Sequence, residues 1–479
     1  MKDLLVMKFG GTSMGSAERI RSAAEIVAKQ GEKRPVLTVV SAMSGITDLL
    51  LDTLKLAEAG QTAEMESKLR ELERRHEETC RELLPAGQRD DTMKRIAATV
   101  EGFRRITKGM SMLGERPPRS VDEAVAYGEH LSSTLMAAYL RSIGLESDAV
   151  NCNEIVVTDA IFGAADPLVQ PTEKKAKERL APMLEKGVLP IATGFNGATV
   201  DGQPTTLGRG GSDFTASLLA ACLDAAELWI WTDVDGIMTA DPRLVKDPAV
   251  LQEVTYREAA ELAYNGAKVL HPRTLAPLVE KNIPAWSKNS FAPEVPGTKI
   301  AATADAPPGA RAVTSMAKVA LLSIEPASPA VSGARLMART LEALYSANAE
   351  VLSFSSSSYR QSFCFLVREE ELEMARECLE SVLSLELAHG YLKPVEVDSN
   401  VGLLAVVGEG MHGTPGIAGR IFTAISREKI NIKAIAQGSS ELTIAIVVKR
   451  DGLEKAVQAV HAECKMAEKA NHANQGCSV

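Results

Sequence analysis

A chain of 479 residues with 53 Lys+Arg against 62 Asp+Glu, formal charge -9, is long enough for two or three full cores. It is too acidic to favour a nucleic-acid partner. Its seven cysteines lack CxxC or metal-ligand spacing, which reads as reduced thiols in a cytoplasmic protein and offers no protein-built metal site. The N-terminal MKDLLVMKFGG is not a signal peptide, and no run of roughly eighteen apolar residues predicts a membrane span.

In chain order, the apolar strand Leu4 to Met7 stops at Lys8-Phe9-Gly10-Gly11-Thr12-Ser13, and a helix follows from Ser16 to Ala28. Strand, glycine pair and helix is a phosphate-loop layout with Lys8 at the strand end, although GxxxxGK[ST] occurs nowhere. The strand Val36 to Val40 delivers a small polar loop, Ser41 to Thr47, to the same end of the sheet. Long charged helices from Asp52 to about Met112 read as a solvated excursion of the same domain. After Pro117-Pro118, a helix opening at Val121 carries Gly128-Glu129-His130, with Glu129 near its buried edge. Strands at 188–193, 228–232 and 283–287 alternate with helices, the signature of a mainly parallel α/β sheet.

The densest chemistry lies between 201 and 243. Leu207-Gly208-Arg209-Gly210-Gly211-Ser212 wraps glycines around one arginine and leads into a helix that Ser212 or Asp213 is expected to cap. The next strand ends on Thr232-Asp233-Val234-Asp235-Gly236, at the carboxyl edge where open α/β sheets bind ligands. Further on, a helix is broken by Gly266, with Lys268 just after the break. Pro/Gly-rich FAPEVPG and ADAPPGA then place a domain boundary near residue 300.

The remaining third repeats itself. VALLSI at 319–324 is echoed by VGLLAV at 401–406, each heading a βαββα run, which predicts twin split-βαβ modules. Gly408 to Gly413 spells GxGxxG, but a dinucleotide site also wants an acidic residue about twenty positions on. The chain has Asn431 and Lys433 there, so the match is read as a decoy.

KFGGTS at 8–13, VVSAMSGIT at 39–47, TLGRGGSDFTA at 206–216, TDVDGIMTADPR at 232–243 and GAKVLHP at 266–272 resemble, in order and spacing, the signatures of the aspartate kinases of the amino-acid kinase family. The repeat resembles their paired ACT modules. The resemblance implies a three-layer α/β kinase domain at 1–300 and two ferredoxin-like modules at 311–394 and 395–470, with residues 311–316 lending a strand to the second. It also implies transfer of the γ-phosphoryl group of MgATP to the side-chain carboxylate of L-aspartate, at the head of lysine, threonine and methionine synthesis.

Matched position by position, the resemblance implies that Lys8 neutralises the transferring phosphoryl group, that Gly10 and Gly11 lend backbone N–H groups, and that Asp213 orients Lys8 or the metal-bound phosphates. Arg209 holds the substrate's α-carboxylate, Glu129 its ammonium, and Ser41, Thr47 and Ser212 line that pocket. Thr232, Asp233, Met238, Arg243 and Lys268 take the ATP, with Met238 where many relatives have tyrosine. Lysine or threonine is the implied effector, near Ser332, Gly333, Asn431 and Ile432, in a homodimer or homotetramer joined through the ACT modules. A kinase for glutamate or acetylglutamate, and a catalytically idle amino-acid-binding regulator, are the alternatives. Fusion to homoserine dehydrogenase is not expected, since the sequence ends soon after the second module.

Overall fold

The computed structural model describes residues 3–267, 270–305, 309–327, 332–358, 361–466 and 468–470. The chain packs as two compact units, Met1–Ile237 with Leu270–Ala304, and Met238–Val269 with Asp305–Val479.

In the first unit, seven strands form one sheet: β1 (Leu5–Phe9), β2 (Val36–Val40), β3 (Ser147–Val150), β4 (Leu189–Thr193), β5 (Glu227–Thr232), β6 (Ala285–Asn289) and β7 (Thr298–Ala301). Their spatial order is β3-β4-β2-β1-β5-β6-β7, parallel throughout except for the antiparallel pair β6–β7. Helices cover both faces, and every residue of β1 and β2 is accordingly buried. From β1 the chain moves outward to β2 on one side and later fills the other side with β5. That reversal leaves the carboxyl ends of β1, β2 and β5 around a crevice at the middle of the sheet.

The helices follow the apolar spacing. Ser16 caps α1 (Ala17–Gly31) by accepting from the Arg19 N–H, and Ile20, Ala23, Ala24 and Val27 face the sheet. The charged stretch is three helices, α2 (Ile46–Glu58), α3 (Thr62–Leu83) and α4 (Asp90–Leu113). Leu50, Leu69, Leu72 and Phe103 from these helices enter the same apolar cluster as Leu5 and Met7 of β1. The excursion is thus solvated on one face only, and its other face closes one side of the sheet. Next come α5 (Pro118–Val125), α6 (Tyr127–Ser142) and α7 (Val169–Glu185), which leaves Glu129 in the first turn of α6, a helix buried along most of its length.

The second unit contains a six-stranded antiparallel sheet of β8 (Ala312–Ile324), β9 (Ser353–Ser356), β10 (Phe363–Arg368), β11 (Glu396–Val407), β12 (Ile432–Gln437) and β13 (Thr443–Lys449), ordered β9-β10-β8-β11-β13-β12. One long strand serves both modules. Val319 to Ile324 of β8 pair with Arg368 to Phe363, while Ala312 to Met316 pair with Val407 to Leu403. Each module has its own helix-covered core, and Val319, Leu366, Val401, Leu403, Ala445 and Val447 form a third apolar layer.

The GxGxxG run is a decoy for a visible reason. Gly408 lies where a Cβ would meet the Gly309 carbonyl at 2.7 Å, Glu409–Met411 is a 3-10 turn, and the next helix starts only at Ile417. Among the described residues no helix N-terminus follows those glycines directly, as a pyrophosphate cradle requires. Among the described residues no helix is long and apolar enough to cross a membrane.

Candidate active site

The crevice is built from strand ends. Lys8, the fourth residue of β1, is only 8% exposed, and its Nζ lies 2.5 Å from Asp213 Oδ1. Asp213 stands in the first turn of α8 (Gly211–Cys222). Neither Asp213 nor Ser212 caps this helix: Gly210, with φ 71°, occupies the cap position without a side-chain bond. Instead Asp213 turns to Lys8, and Ser212 packs where a Cβ on Gly194 would come within 2.6 Å of its own Cβ. Glycine at 194 therefore lets the end of β4 approach the start of α8.

Beyond β1, the Gly10 N–H donates to the Trp231 carbonyl at 3.3 Å, and Trp231 stacks on Phe9 with ring centroids 5.9 Å apart. That leaves the Gly11 N–H as the amide of this pair with no protein acceptor among the described residues. A Cβ on Gly11 would lie 3.3 Å from the Ala42 carbonyl, so the β1 and β2 loops touch here. Ser41 is fixed by its N–H donating to the Phe9 carbonyl, and Thr47 lies in the first turn of α2 behind the left-handed Gly45. The free N–H groups of that turn favour an anion.

Glu129 is 4% exposed. Its Oε1 accepts from the Ala42 N–H at 3.2 Å, and its Oε2 is buried without a hydrogen-bond partner among the described residues. Burial pushes its pKa up to about 8, against the pull of the Ala42 bond and the positive charge of Lys8. A buried carboxylate with one oxygen unsatisfied costs free energy that an arriving ammonium would recover. Gly128 makes the placement feasible, since a Cβ there would sit 2.8 Å from the Ala42 Cβ.

Arg209 is exposed, and its guanidinium has no hydrogen bond or ion pair among the described residues. Its backbone is held from several sides. Gly208 and Gly210 both take positive φ, at 72° and 71°. A Cβ on Gly210 would lie 3.1 Å from the His271 Cβ, and Arg273 donates to the Leu207 carbonyl at 3.4 Å while pairing with Asp166 at 2.5 Å. Arg273 also lies 5.0 Å over the Phe214 ring. His271 of the GAKVLHP motif and Arg273 just after it thus support the arginine loop, a role sequence reasoning did not assign.

At the end of β5, Thr232 Oγ1 donates to Asp233 Oδ1 at 3.2 Å, and the Thr232 carbonyl accepts from the Ser290 N–H and hydroxyl. Ser290 also bonds Ser13 at 2.8 Å, and Asn289 donates to Asp235 at 2.7 Å. Ser13, Asn289 and Ser290 are therefore part of this rim. Ser13 closes the KFGGTS motif, while the signal for Asn289 and Ser290 was only a polar KNS at the end of a strand.

In the second unit, Met238 is half-buried, and Arg243 is exposed and held in a bidentate pair by Asp241. Lys268 lies outside the described residues. Ser332 and Gly333 head the helix Gly333–Ser346, where the Gly333 N–H donates to Gln361 Oε1 at 2.6 Å. Asn431 is exposed just before β12, and Ile432 begins that strand half-buried. No hydrogen bond joins these two pairs among the described residues. Nor is there a cluster of three or more His, Cys, Asp or Glu fit to hold a metal among them.

Comparison with known proteins bears on this geometry. The amino acid kinase family matches residues 3–289, and an ACT domain matches residues 404–464. Bifunctional aspartokinase/homoserine dehydrogenase 1 of Arabidopsis thaliana is 35% identical over 467 residues, covering 95% of this chain and 50% of that protein. The chain therefore spans about half the length of the bifunctional relatives it matches. Lysine-sensitive aspartokinase 3 of Escherichia coli is 31% identical over 461 residues, covering 96% of this chain and 99% of that one. The crystal structure of E. coli aspartokinase III with aspartate and ADP is similar with TM-score 0.83 at 31% identity, covering 96% and 99% of the two chains. Its complex with lysine and aspartate is similar at 0.77 and 30%, with the same coverage.

Proposed function

This chain belongs to the aspartokinases of the amino acid kinase family, and on that premise we propose that it transfers the γ-phosphoryl group of ATP to the side-chain carboxylate of L-aspartate. The observation that carries the reading is the buried, unpartnered Oε2 of Glu129 beside the Lys8–Asp213 pair. A small amphoteric substrate satisfies both: its ammonium meets Glu129, and its negative end is drawn to Lys8. Arg209, which has no hydrogen bond or ion pair among the described residues, takes the α-carboxylate as a bidentate fork, a geometry lysine cannot copy. Ser41, Thr47 and Ser212 line the space between.

The chemistry asks little of the protein beyond placement and charge. The attacking carboxylate has a reference pKa of ~3.9 and is ionised at neutral pH, so no general base is needed. Its oxygen forms a bond to the γ-phosphorus as the bond to the ADP oxygen breaks, giving 4-phospho-L-aspartate and ADP. The barrier is the approach of an anion to a polyanion, which Lys8 and the Gly11 N–H lower by meeting charge on the transferring group. ATP is assigned to Thr232, Asp233, Met238, Arg243 and Lys268 by their match to the family motif, with Gly10 shaping the β1 turn. No cluster of three or more His, Cys, Asp or Glu fit to hold a metal occurs among the described residues, so Mg2+ would be carried by the nucleotide and would supply charge neutralisation to its phosphates.

The ACT pair is assigned to feedback by an amino acid end product, in a homodimer or homotetramer. The lysine complex of the E. coli relative favours lysine over threonine.

Trapping the acyl phosphate with hydroxylamine tests the reading. Aspartate with MgATP is expected to give a hydroxamate and glutamate none; no product from aspartate would sink the proposal. Arg209→Ala is expected to lose about 3 kcal/mol of transition-state stabilisation, roughly 100-fold in kcat/KM for aspartate. Lysine and threonine, tried alone and together, test the regulatory assignment through inhibition.

A further inference from the structure

Seven residues before Glu129, on the preceding helix α5, stands a second buried carboxylate, Asp122, which is 2% exposed. It has no ion-pair partner among the described residues. Instead, three donors from two loops converge on it. Its Oδ2 accepts from the Gly163 N–H at 2.8 Å and the Thr206 N–H at 2.9 Å, and its Oδ1 accepts from the Thr206 hydroxyl at 2.9 Å.

Both loops meet at the base of Arg209. Thr206 is three residues before it, and the Ala165 N–H donates to the Thr206 carbonyl at 2.9 Å. The 163–164 turn lies against Gly208, where a Cβ would be 3.3 Å from both Ala164 Cα and the Gly163 carbonyl. Asp122 is therefore the buried root of a clamp whose outer end presents an unpartnered guanidinium. Glu129 stands in the first turn of α6, the helix that follows Asp122's own α5.

We propose that Asp122 is a positioning residue that sets the distance between Arg209 and Glu129, and so selects substrates whose carboxylate and ammonium share one carbon. The proposal rests on the aspartokinase reading for the identity of the substrate, but the clamp itself does not. An exposed guanidinium on two left-handed glycines would otherwise sample many positions. A carboxylate accepting three charge-assisted bonds at once is a short, rigid tie, whereas an amide there loses the charge and keeps the third contact only by donating to a Thr206 hydroxyl that has turned its own proton away.

The test uses the full-length protein, with Asp122→Asn and the milder Thr206→Val, which removes only the hydroxyl bond. Expected for Asp122→Asn is a rise of tenfold or more in KM for aspartate, with KM for ATP within twofold of the parent. Thr206→Val is expected to move the same constant by less. A purely structural role would reduce the active fraction and the melting temperature without splitting the two KM values. Equal shifts in both, or none, in a folded variant overturn the proposal; if Asp122→Asn does not fold, Thr206→Val decides alone.

Limited trypsin cleavage after Arg209 reads the clamp without any turnover. Asp122→Asn is expected to be cut there at least tenfold faster than the parent, and an unchanged rate refutes the clamp. A parent protein inert toward aspartate, combined with faster cleavage in the variant, would overturn the assigned reaction while leaving the clamp standing.

Discussion

Lys8 Nζ sits 2.5 Å from Asp213 Oδ1, so the cation at the end of β1 is aimed by the first turn of α8 rather than by its own strand. Both side chains are largely shielded, at 10% and 22% exposure, which keeps the pair from simple surface screening. Lys8→Met is expected to lower kcat by ~100-fold or more, the scale of one electrostatic stabiliser of a charged transition state. Asp213→Asn leaves Lys8 in place but unaimed, and a smaller loss in kcat follows. Because one residue acts through the other, the double variant should be scarcely worse than Lys8→Met alone. A double-mutant cycle on kcat checks this, and fully additive losses would mean the two act independently.

Glu129 predicts a pH dependence with a definite sign. Its folded-state pKa is raised from 4.5 to about 8 by burial, so between those values the folded protein holds a proton that the unfolded chain has released. Stability from this group is therefore greatest at low pH and falls as pH rises toward about 8. Glu129→Gln should exceed the parent in denaturant stability at pH 8 by on the order of a few kcal/mol, with the gap closing in acid. Aspartate reverses the preference, because its ammonium needs the carboxylate form. Binding at pH 7 should release close to one proton, measurable by calorimetry in buffers of different ionisation enthalpy, and Glu129→Gln should release none.

Gly194 and Ser212 give a steric prediction. A Cβ at position 194 would lie 2.6 Å from the Ser212 Cβ and 3.0 Å from its Cα, so Gly194→Ala must push α8 off the end of β4. The expected cost is about 1–3 kcal/mol of stability, the scale of overpacking in a tight core. Adding Ser212→Gly removes the colliding atom. Recovery of the melting temperature in the double variant is the outcome that supports this contact, and no recovery would place the strain elsewhere.

What the sequence could tell was set by how local each signal is. Lys8 was legible because a strand, two glycines and a helix follow one another directly, and Glu129 because apolar spacing marks its helix face as buried. Asp122 escaped: its partners Gly163 and Thr206 are 41 and 84 residues away, and nothing near it in sequence distinguishes it from a first-turn acid. The expected capping by Ser212 or Asp213 failed for the complementary reason. Local preference favours a cap there, but the ion pair with Lys8 and the packing on Gly194 are tertiary and prevailed. The fold class was carried by the strand-helix alternation and the eighty-odd-residue repeat. The helical excursion was misjudged only in how much of it is dry, since Leu69, Leu72 and Phe103 are fully buried or nearly so.

His76 supplies a second pH dependence, opposite in sign and remote from the chemistry. It is fully buried on α3, its Nδ1 bonded to the Leu72 carbonyl at 2.8 Å and its Nε2 without a partner. Burial lowers its pKa from 6.5 to about 4. Below pH 6.5 the unfolded chain takes up a proton that the folded protein refuses until about pH 4, so stability falls as the solution is acidified through that window. The loss attributable to this ring is up to about 3 kcal/mol. His76→Leu keeps a similar volume and removes the titrating group together with the unsatisfied nitrogen. It should match the parent to within about 1 kcal/mol at pH 7.5 and exceed it at pH 5, as read from denaturant melts at both values. Parallel acid sensitivity in parent and variant would show that the carboxylates of the two units, not this imidazole, govern unfolding in mild acid.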